Sequence, residues 1–185
     1  MDWIIPGTTL TGKREEAKYL EDQFRAMFFG GGITLSQVAN IAGLEAYAIQ
    51  NWVKRGFLTN PVQKRYTLRQ LCRILNINML KSALPMEEIC GLLQYINGNL
   101  SDESDDLIDD TTLYFLFVRL ASYHRQMQND QGRDGYLQEL LSQYPEPVPG
   151  ARARVEQVLK VMLTAWAASQ LRQQAEKMVE ELKHE

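Results

Sequence analysis

The feature that most limits how this chain can fold is a glycine, Gly43, between two short helical patterns. The first pattern runs from Thr34 to about Ile41 and the second from about Glu45 to Lys54. Counted from Leu35 as position one, position five is small, position nine is Gly43, and positions ten, fifteen and eighteen are apolar; the five residues are Ala39, Gly43, Leu44, Ile49 and Trp52. A small residue lets two helices cross closely, and glycine supplies the positive φ of the turn. The pattern predicts a helix-turn-helix.

The face of this helix pair that is left uncovered is polar. Its side chains carry hydroxyl, amide and cationic groups, which complement base edges and phosphates. The candidate DNA-binding residues on it are Thr34, Ser36, Gln37, Tyr47, Gln50, Asn51, Lys54 and Arg55. The same composition also suits helices that simply face solvent, so both interpretations stay open at this point.

Charge is unevenly distributed along the chain. The net charge of −3 argues against nucleic-acid binding by the whole surface. Residues 33–83, however, hold seven basic residues and one acidic residue, whereas residues 99–185 hold nine basic and fifteen acidic ones. We therefore expect any nucleic-acid face to lie in the N-terminal half.

Helical periodicity divides the chain into four parts. We expect an N-terminal segment (1–32), a DNA-binding head (33–98), a solvated acidic linker (99–110) and an all-α tail (111–185). The N-terminal segment should contain a helix over Gly12–Phe29, which is capped by Thr11 and packs on the head. Asn60-Pro61 excludes a helix between residues 57 and 67, so two short extended pieces are expected there. The remaining helices are predicted at residues 68–80, 85–98, 111–128, 136–143 and 151–183.

Two stretches together resemble the DNA-binding head of MerR-type regulators. They are ITLSQVANIAGLEAYAIQNWVKRGFL and NPVQKRYTLRQLCRILNINMLKSALPMEEICGLL, and the resemblance covers about residues 34–94. It implies a winged helix-turn-helix with a small β wing, in which Lys64-Arg65-Tyr66-Thr67 stands for the basic wing phrase. The chain also resembles an uncharacterised group of bacterial proteins that join such a head to a helical tail. The predicted fold class is accordingly mainly α, with this winged head followed by an all-α tail.

The resemblance assigns roles to individual residues. The second helix of the pair would enter the major groove of double-stranded DNA, while Lys64, Arg65 and Tyr66 would touch the flanking backbone. Arg69 and Arg73 are expected to add phosphate contacts. Gln50 stands where the family usually has a phosphate-directed arginine, so contacts there would depend on neutral donors with Lys54 and Arg55.

Other kinds of site find little support in the sequence. Two cysteines and two histidines lie too far apart to suggest a zinc site, the acidic run lacks calcium-binding spacing, and Gly30–Gly32 lacks the lysine of a phosphate loop. We therefore expect no metal, no cofactor and no enzymatic activity. Aromatic residues of the tail are either core or the lining of an effector pocket. No apolar run is long enough to span a membrane, and we expect a cytoplasmic protein.

These features predict a sequence-specific transcriptional regulator that reads a palindrome as a homodimer, with the long final helix pairing with its copy. A small molecule or a protein could act as effector at the tail. The alternative is a protein-interaction module whose helix-turn-helix head no longer binds DNA.

Overall fold

A computed structural model describes residues 2–124 and 130–183. The described residues form eight α-helices: α1 (Leu20–Ala26), α2 (Leu35–Ala42), α3 (Ala46–Lys54), α4 (Leu68–Leu80), α5 (Met86–Asn97), α6 (Asp110–His124), α7 (Asp130–Ser142) and α8 (Ala151–Leu182). Two antiparallel pairs of short strands accompany them: β1 (Asp2–Ile4) with β2 (Thr11–Lys13), and β3 (Ile33–Thr34) with β4 (Arg65–Tyr66). The prediction of a mainly α protein with a small sheet is confirmed.

The N-terminal segment differs from its prediction. The expected helix over Gly12–Phe29 is replaced by β2, a 3₁₀ helix over Arg14–Tyr19, and the short α1. The reason is the pairing of β1 with β2, in which Trp3 lies opposite Gly12. Burial of Trp3 and Ile5 in the core favours this hairpin over a helical start at residues 12 and 13.

Helix α4 lies at the centre of the molecule. All of its residues from 71 to 77 are buried, and it contacts α2, α5, α6 and α8. Buried apolar side chains from Trp3 to Trp166 form one continuous core around it. The helix-turn-helix region and the helices after residue 110 therefore share a core rather than forming two separate ones.

The acidic segment 99–110 is solvated only in its first half, where residues 101–105 are all exposed. Its last residue, Asp110, is buried at the start of α6, and Asp106 is almost fully covered. Both carboxylates face arginines of α4, which carry the opposite charge. The second half of the segment thus packs against the head.

In the C-terminal part, α7 differs from its prediction and α8 agrees with it. Helix α7 begins at Asp130, six residues before the predicted start; the predicted end of the preceding helix, Gln128, lies outside the described residues. The long final helix is confirmed, and from Gln170 to Lys183 every residue is exposed. None of the described helices is long and apolar enough to cross a membrane.

Candidate nucleic-acid interface

The start of α2 is capped by its own side chains. The Thr34 hydroxyl accepts a hydrogen bond from the Gln37 backbone N–H, and the Gln37 side chain accepts one from the Thr34 N–H. This reciprocal pair satisfies two backbone donors that a helix start leaves open. Both side chains are exposed, but they are already engaged with each other; Ser36 beside them is exposed as well.

The turn between α2 and α3 has the geometry that its glycine predicts. Gly43 has φ +62°, and the Leu44 N–H donates to the Ala39 carbonyl at 3.0 Å. Two residues that the sequence did not single out hold this turn. The Asn78 amide of α4 donates to the Ala42 carbonyl at 2.7 Å, and the Thr9 hydroxyl donates to the Asn40 carbonyl at 2.8 Å.

The only signal for Asn78 was a polar residue in the otherwise apolar stripe of α4. A partly buried amide in such a position needs hydrogen-bond partners, and the Ala42 carbonyl at the end of α2 is one of them. Thr9 gave no signal, because its contact depends on how the N-terminal hairpin folds over the turn.

Helix α3 presents one apolar and one polar face. Ile49 and Trp52 are buried, which fixes the rotation of the helix. Gln50, Asn51 and Lys54 are exposed as a consequence, and Tyr47, on the same helix, is 71% exposed. The polar face of α3 is therefore available to a partner.

The predicted wing is a short ribbon beside the helix pair. In its strand pair Ile33 lies opposite Tyr66 and Thr34 opposite Arg65. A tight turn follows Val62 and places Gln63 at φ 50° and Lys64 at φ 61°. Both residues occupy the left-handed region that a two-residue hairpin turn of this twist requires, although neither is glycine. Lys64 is thereby exposed at the tip of the turn.

A shallow depression of about 610 Å³ lies between α3 and the wing. Gln50 and Lys54 reach it from the helix, and Lys64 reaches it from the turn. Leu35, Val53 and Pro61 form its apolar floor. Two cations and an amide from separate parts of the sequence thus line one concave, accessible surface.

Arg55 and Arg65 lie at the edge of this surface and already have partners. The Arg55 guanidinium lies over the Phe57 ring at 4.6 Å and is 3.3 Å from a Glu87 carboxylate oxygen. Arg65 donates to the Gly32 carbonyl at 2.9 Å. All three side chains that make polar contacts here are exposed, so these contacts contribute little to stability.

Tyr66 does not support its predicted contact with DNA backbone. It is only 3% exposed, and burial raises the pKa of its phenol. Its side chain belongs to the core, although part of it borders the depression between α3 and the wing. Tyr66 anchors the wing rather than extending from it.

The phosphate contacts predicted for Arg69 and Arg73 are also wrong for this conformation. Arg73 is 6% exposed and lies 3.4 Å from a carboxylate oxygen of Asp110. Arg69 contacts Asp106 at 2.6 Å and Glu103 at 2.9 Å. The acidic segment therefore occupies both guanidinium groups that the sequence left free.

Burial opposes ionisation within this cluster. It raises the pKa of Asp106 to about 6, against the lowering effect of the Arg69 charge. Burial likewise raises the pKa of Asp110, which Arg73 and Arg69 oppose. Ion pairing with two arginines compensates part of the desolvation that the two aspartates undergo.

A family model described as a domain of unknown function, DUF1836, matches residues 18–117, more than half of the chain. The chain belongs to the DUF1836 family. The DUF1836 match begins in the 3₁₀ helix, includes both helices of the pair, the wing and the acidic segment, and ends within α6. It thus spans the head together with the segment that binds Arg69 and Arg73.

This DUF1836 protein is also similar to the uncharacterized protein YkrK of Bacillus subtilis (strain 168). The two are 28% identical over 118 residues, which is 62% of this chain and 51% of YkrK. The chain therefore spans about half the length of the curated relative that it matches. No solved structure matches the chain.

Proposed function

We propose that this protein is a sequence-specific DNA-binding regulator of transcription. The observation that carries the proposal is the surface between α3 and the wing, where Gln50, Lys54 and Lys64 line one exposed depression. Separate segments have to fold together to place these groups side by side. A bacterial regulator of this kind would act in the cytoplasm.

In the proposed complex α3 lies in the major groove. Gln50 and Asn51 carry amides, which can form paired hydrogen bonds with adenine. Lys54 at the end of α3 and Lys64 at the wing tip would contact phosphates on either side of the groove. The MerR-like resemblance supports the same placement of the second helix, although Gln50 replaces the usual arginine.

The proposed regulator is a homodimer joined through α8. Residues 161, 164, 168, 171, 175, 178 and 182 follow one another at alternating spacings of three and four, and all are exposed. They include Val161, Leu171, Met178 and Leu182. This spacing is that of a coiled-coil seam, which a second copy of the same helix can cover. Two copies related by a two-fold axis would read a palindromic site.

The test begins with selection of bound duplexes from a random DNA pool, followed by affinity measurement on the selected site across salt concentrations. We expect Lys54→Ala and Lys64→Ala each to weaken binding and to reduce the slope of log affinity against log salt by about 1, since each removes a phosphate contact. Gln50→Ala should instead relax base preference at one position, at a cost of about 1 to 3 kcal/mol. Lys18→Ala, on the 3₁₀ helix, is the matched control and should leave both quantities unchanged.

Failure to enrich any sequence, together with salt-insensitive binding, would reject the proposal. A folded protein with that behaviour would favour the alternative function, an interaction module that binds another protein. If Lys18→Ala and Lys64→Ala reduced the affinity for DNA equally, that result would also contradict the assigned surface.

A further inference from the structure

A second cavity, of about 490 Å³, lies away from the proposed DNA interface. Its walls come from the N-terminal hairpin, the C-terminal end of α4 and the middle of α8. It opens where α8 leaves the core and becomes fully exposed, at Gln170 and Gln173. Its volume is within the range of small-molecule binding sites.

One wall of this cavity carries a cation without an acidic partner. Lys81 follows α4 directly and is exposed at the edge of the cavity, which Asp2 also lines. Among the residues that the structure describes, no carboxylate forms an ion pair with the Lys81 ammonium group. Partial burial lowers the pKa of Lys81, because the charged form loses solvent without gaining a counter-charge. An anionic group in the cavity would supply that counter-charge.

Two indoles border the same cavity, although each exposes only a small part of its ring there. Trp3 and Trp166 both line it, and both are more than nine-tenths buried. The indole N–H of Trp3 is buried without a hydrogen-bond acceptor in the structure. The guanidinium of Arg14 lies 4.5 Å from the Trp3 ring, which adds positive charge to this wall.

The polar groups of the cavity hold its walls in place. The hydroxyl of Ser82 donates to that of Ser169 at 2.7 Å, joining the end of α4 to α8. Arg172 donates to the Ser82 carbonyl at 3.2 Å. The two walls therefore meet through a small number of hydrogen bonds, and a molecule bound beside them would contact both.

We propose that this cavity binds a small organic anion with a planar apolar body, of the aromatic carboxylate class. The carboxylate pairs with Lys81, and the ring contacts the small exposed parts of the Trp3 and Trp166 indoles. Such a ligand bridges α4, which holds the helix-turn-helix, and α8, which carries the exposed seam. This inference does not depend on DNA binding, and the two can fail separately.

The test is isothermal titration calorimetry on the full chain, with benzoate and indole-3-acetate as anionic probes and with benzamide and indole-3-acetamide as their neutral counterparts. We expect at least one anion to bind and its amide to bind at least about tenfold more weakly, because a hydrogen bond to a charged group is lost. Lys81→Met keeps the apolar stem and should remove the same preference for the anion. Lys177→Met, on the exposed part of α8, is the matched control and should bind as the parent protein does.

Two outcomes would overturn the proposal. One is the absence of binding by both anions up to about 10 mM, the weak limit of small-ligand affinity. The other is an equal affinity of Lys81→Met and Lys177→Met for the anions. Thermal unfolding of each variant shows whether it is folded. If Lys81→Met loses binding, Lys81→Arg should keep it, because arginine retains the positive charge.

Discussion

At the scale of single residues, Gly43 has the clearest physical requirement in the chain. Its φ of +62° lies in the left-handed region, where a side chain is disfavoured. A Cβ atom there would also come within 2.7 Å of the Thr9 methyl group. The turn between α2 and α3, and hence the direction of α3, depends on both facts.

Gly43→Ala should therefore lower the free energy of unfolding by about 1 to 2 kcal/mol, measured by urea denaturation. Gly91→Ala provides the control, because Gly91 lies inside α5 and a Cβ there meets nothing within 4 Å. That change should be neutral or should stabilise the protein by up to about 1 kcal/mol. Equal effects of the two substitutions would contradict the strain assigned to Gly43.

At the scale of secondary-structure elements, α8 combines two different surfaces in one helix. Up to Ser169 one side of it is buried in the core, and beyond that residue it projects with all side chains exposed. Leu171 is 68% exposed on this projecting part. An isolated projecting helix gains little stability by itself, so its apolar seam is best explained by a partner helix.

Leu171→Glu should convert the proposed dimer to a monomer at micromolar concentration, since it places like charges in the seam of both copies. Sedimentation analysis measures the change. Gln173→Glu adds the same charge on the same turn of α8, outside the seam, and should leave the dimer intact. A parent protein that sediments as a monomer at these concentrations would refute the proposed pairing.

At the scale of the whole molecule, the acidic segment joins the head to the tail. Arg73 of α4 and Asp110 at the start of α6 are both buried and face each other. Arg69 adds contacts with Asp106 and Glu103 on the same segment. Because a buried charge needs its partner, this cluster fixes how the helices after residue 110 dock on α4.

Asp110→Asn should lower the free energy of unfolding by about 3 kcal/mol at neutral pH, because it leaves the Arg73 charge buried without its carboxylate. The double variant Arg73→Met with Asp110→Leu should recover most of that loss in urea denaturation. As a comparison, Glu21→Gln disrupts the exposed pair with Arg25 and should cost less than about 0.5 kcal/mol. A loss for Asp110→Asn no larger than this comparison would show that the cluster does not hold the molecule together.

Local signals were sufficient for the elements that depend on neighbouring residues. The glycine-hinged pair α2 and α3 and the long α8 follow from periodicity, capping and the backbone limits of glycine. Of the two extended pieces predicted between residues 57 and 67, one is the strand β4, whose partner β3 lies more than thirty residues earlier in the chain. The polar face of α3 follows in the same way, because burial of Ile49 and Trp52 leaves the opposite residues exposed.

Tertiary structure decided whatever depends on residues far apart in the chain. Arg69 and Arg73 resemble free cations in the sequence, yet acidic residues more than thirty positions away bind them. Residues 12 and 13 belong to the helix that the sequence predicts, yet they pair with β1 as part of a strand. Local sequence determines which conformations and charges are available to each segment. The pairing of a particular charge with a particular segment is determined only when the chain folds. A buried ion is stable only beside an opposite charge, and that charge comes from a distant part of the sequence.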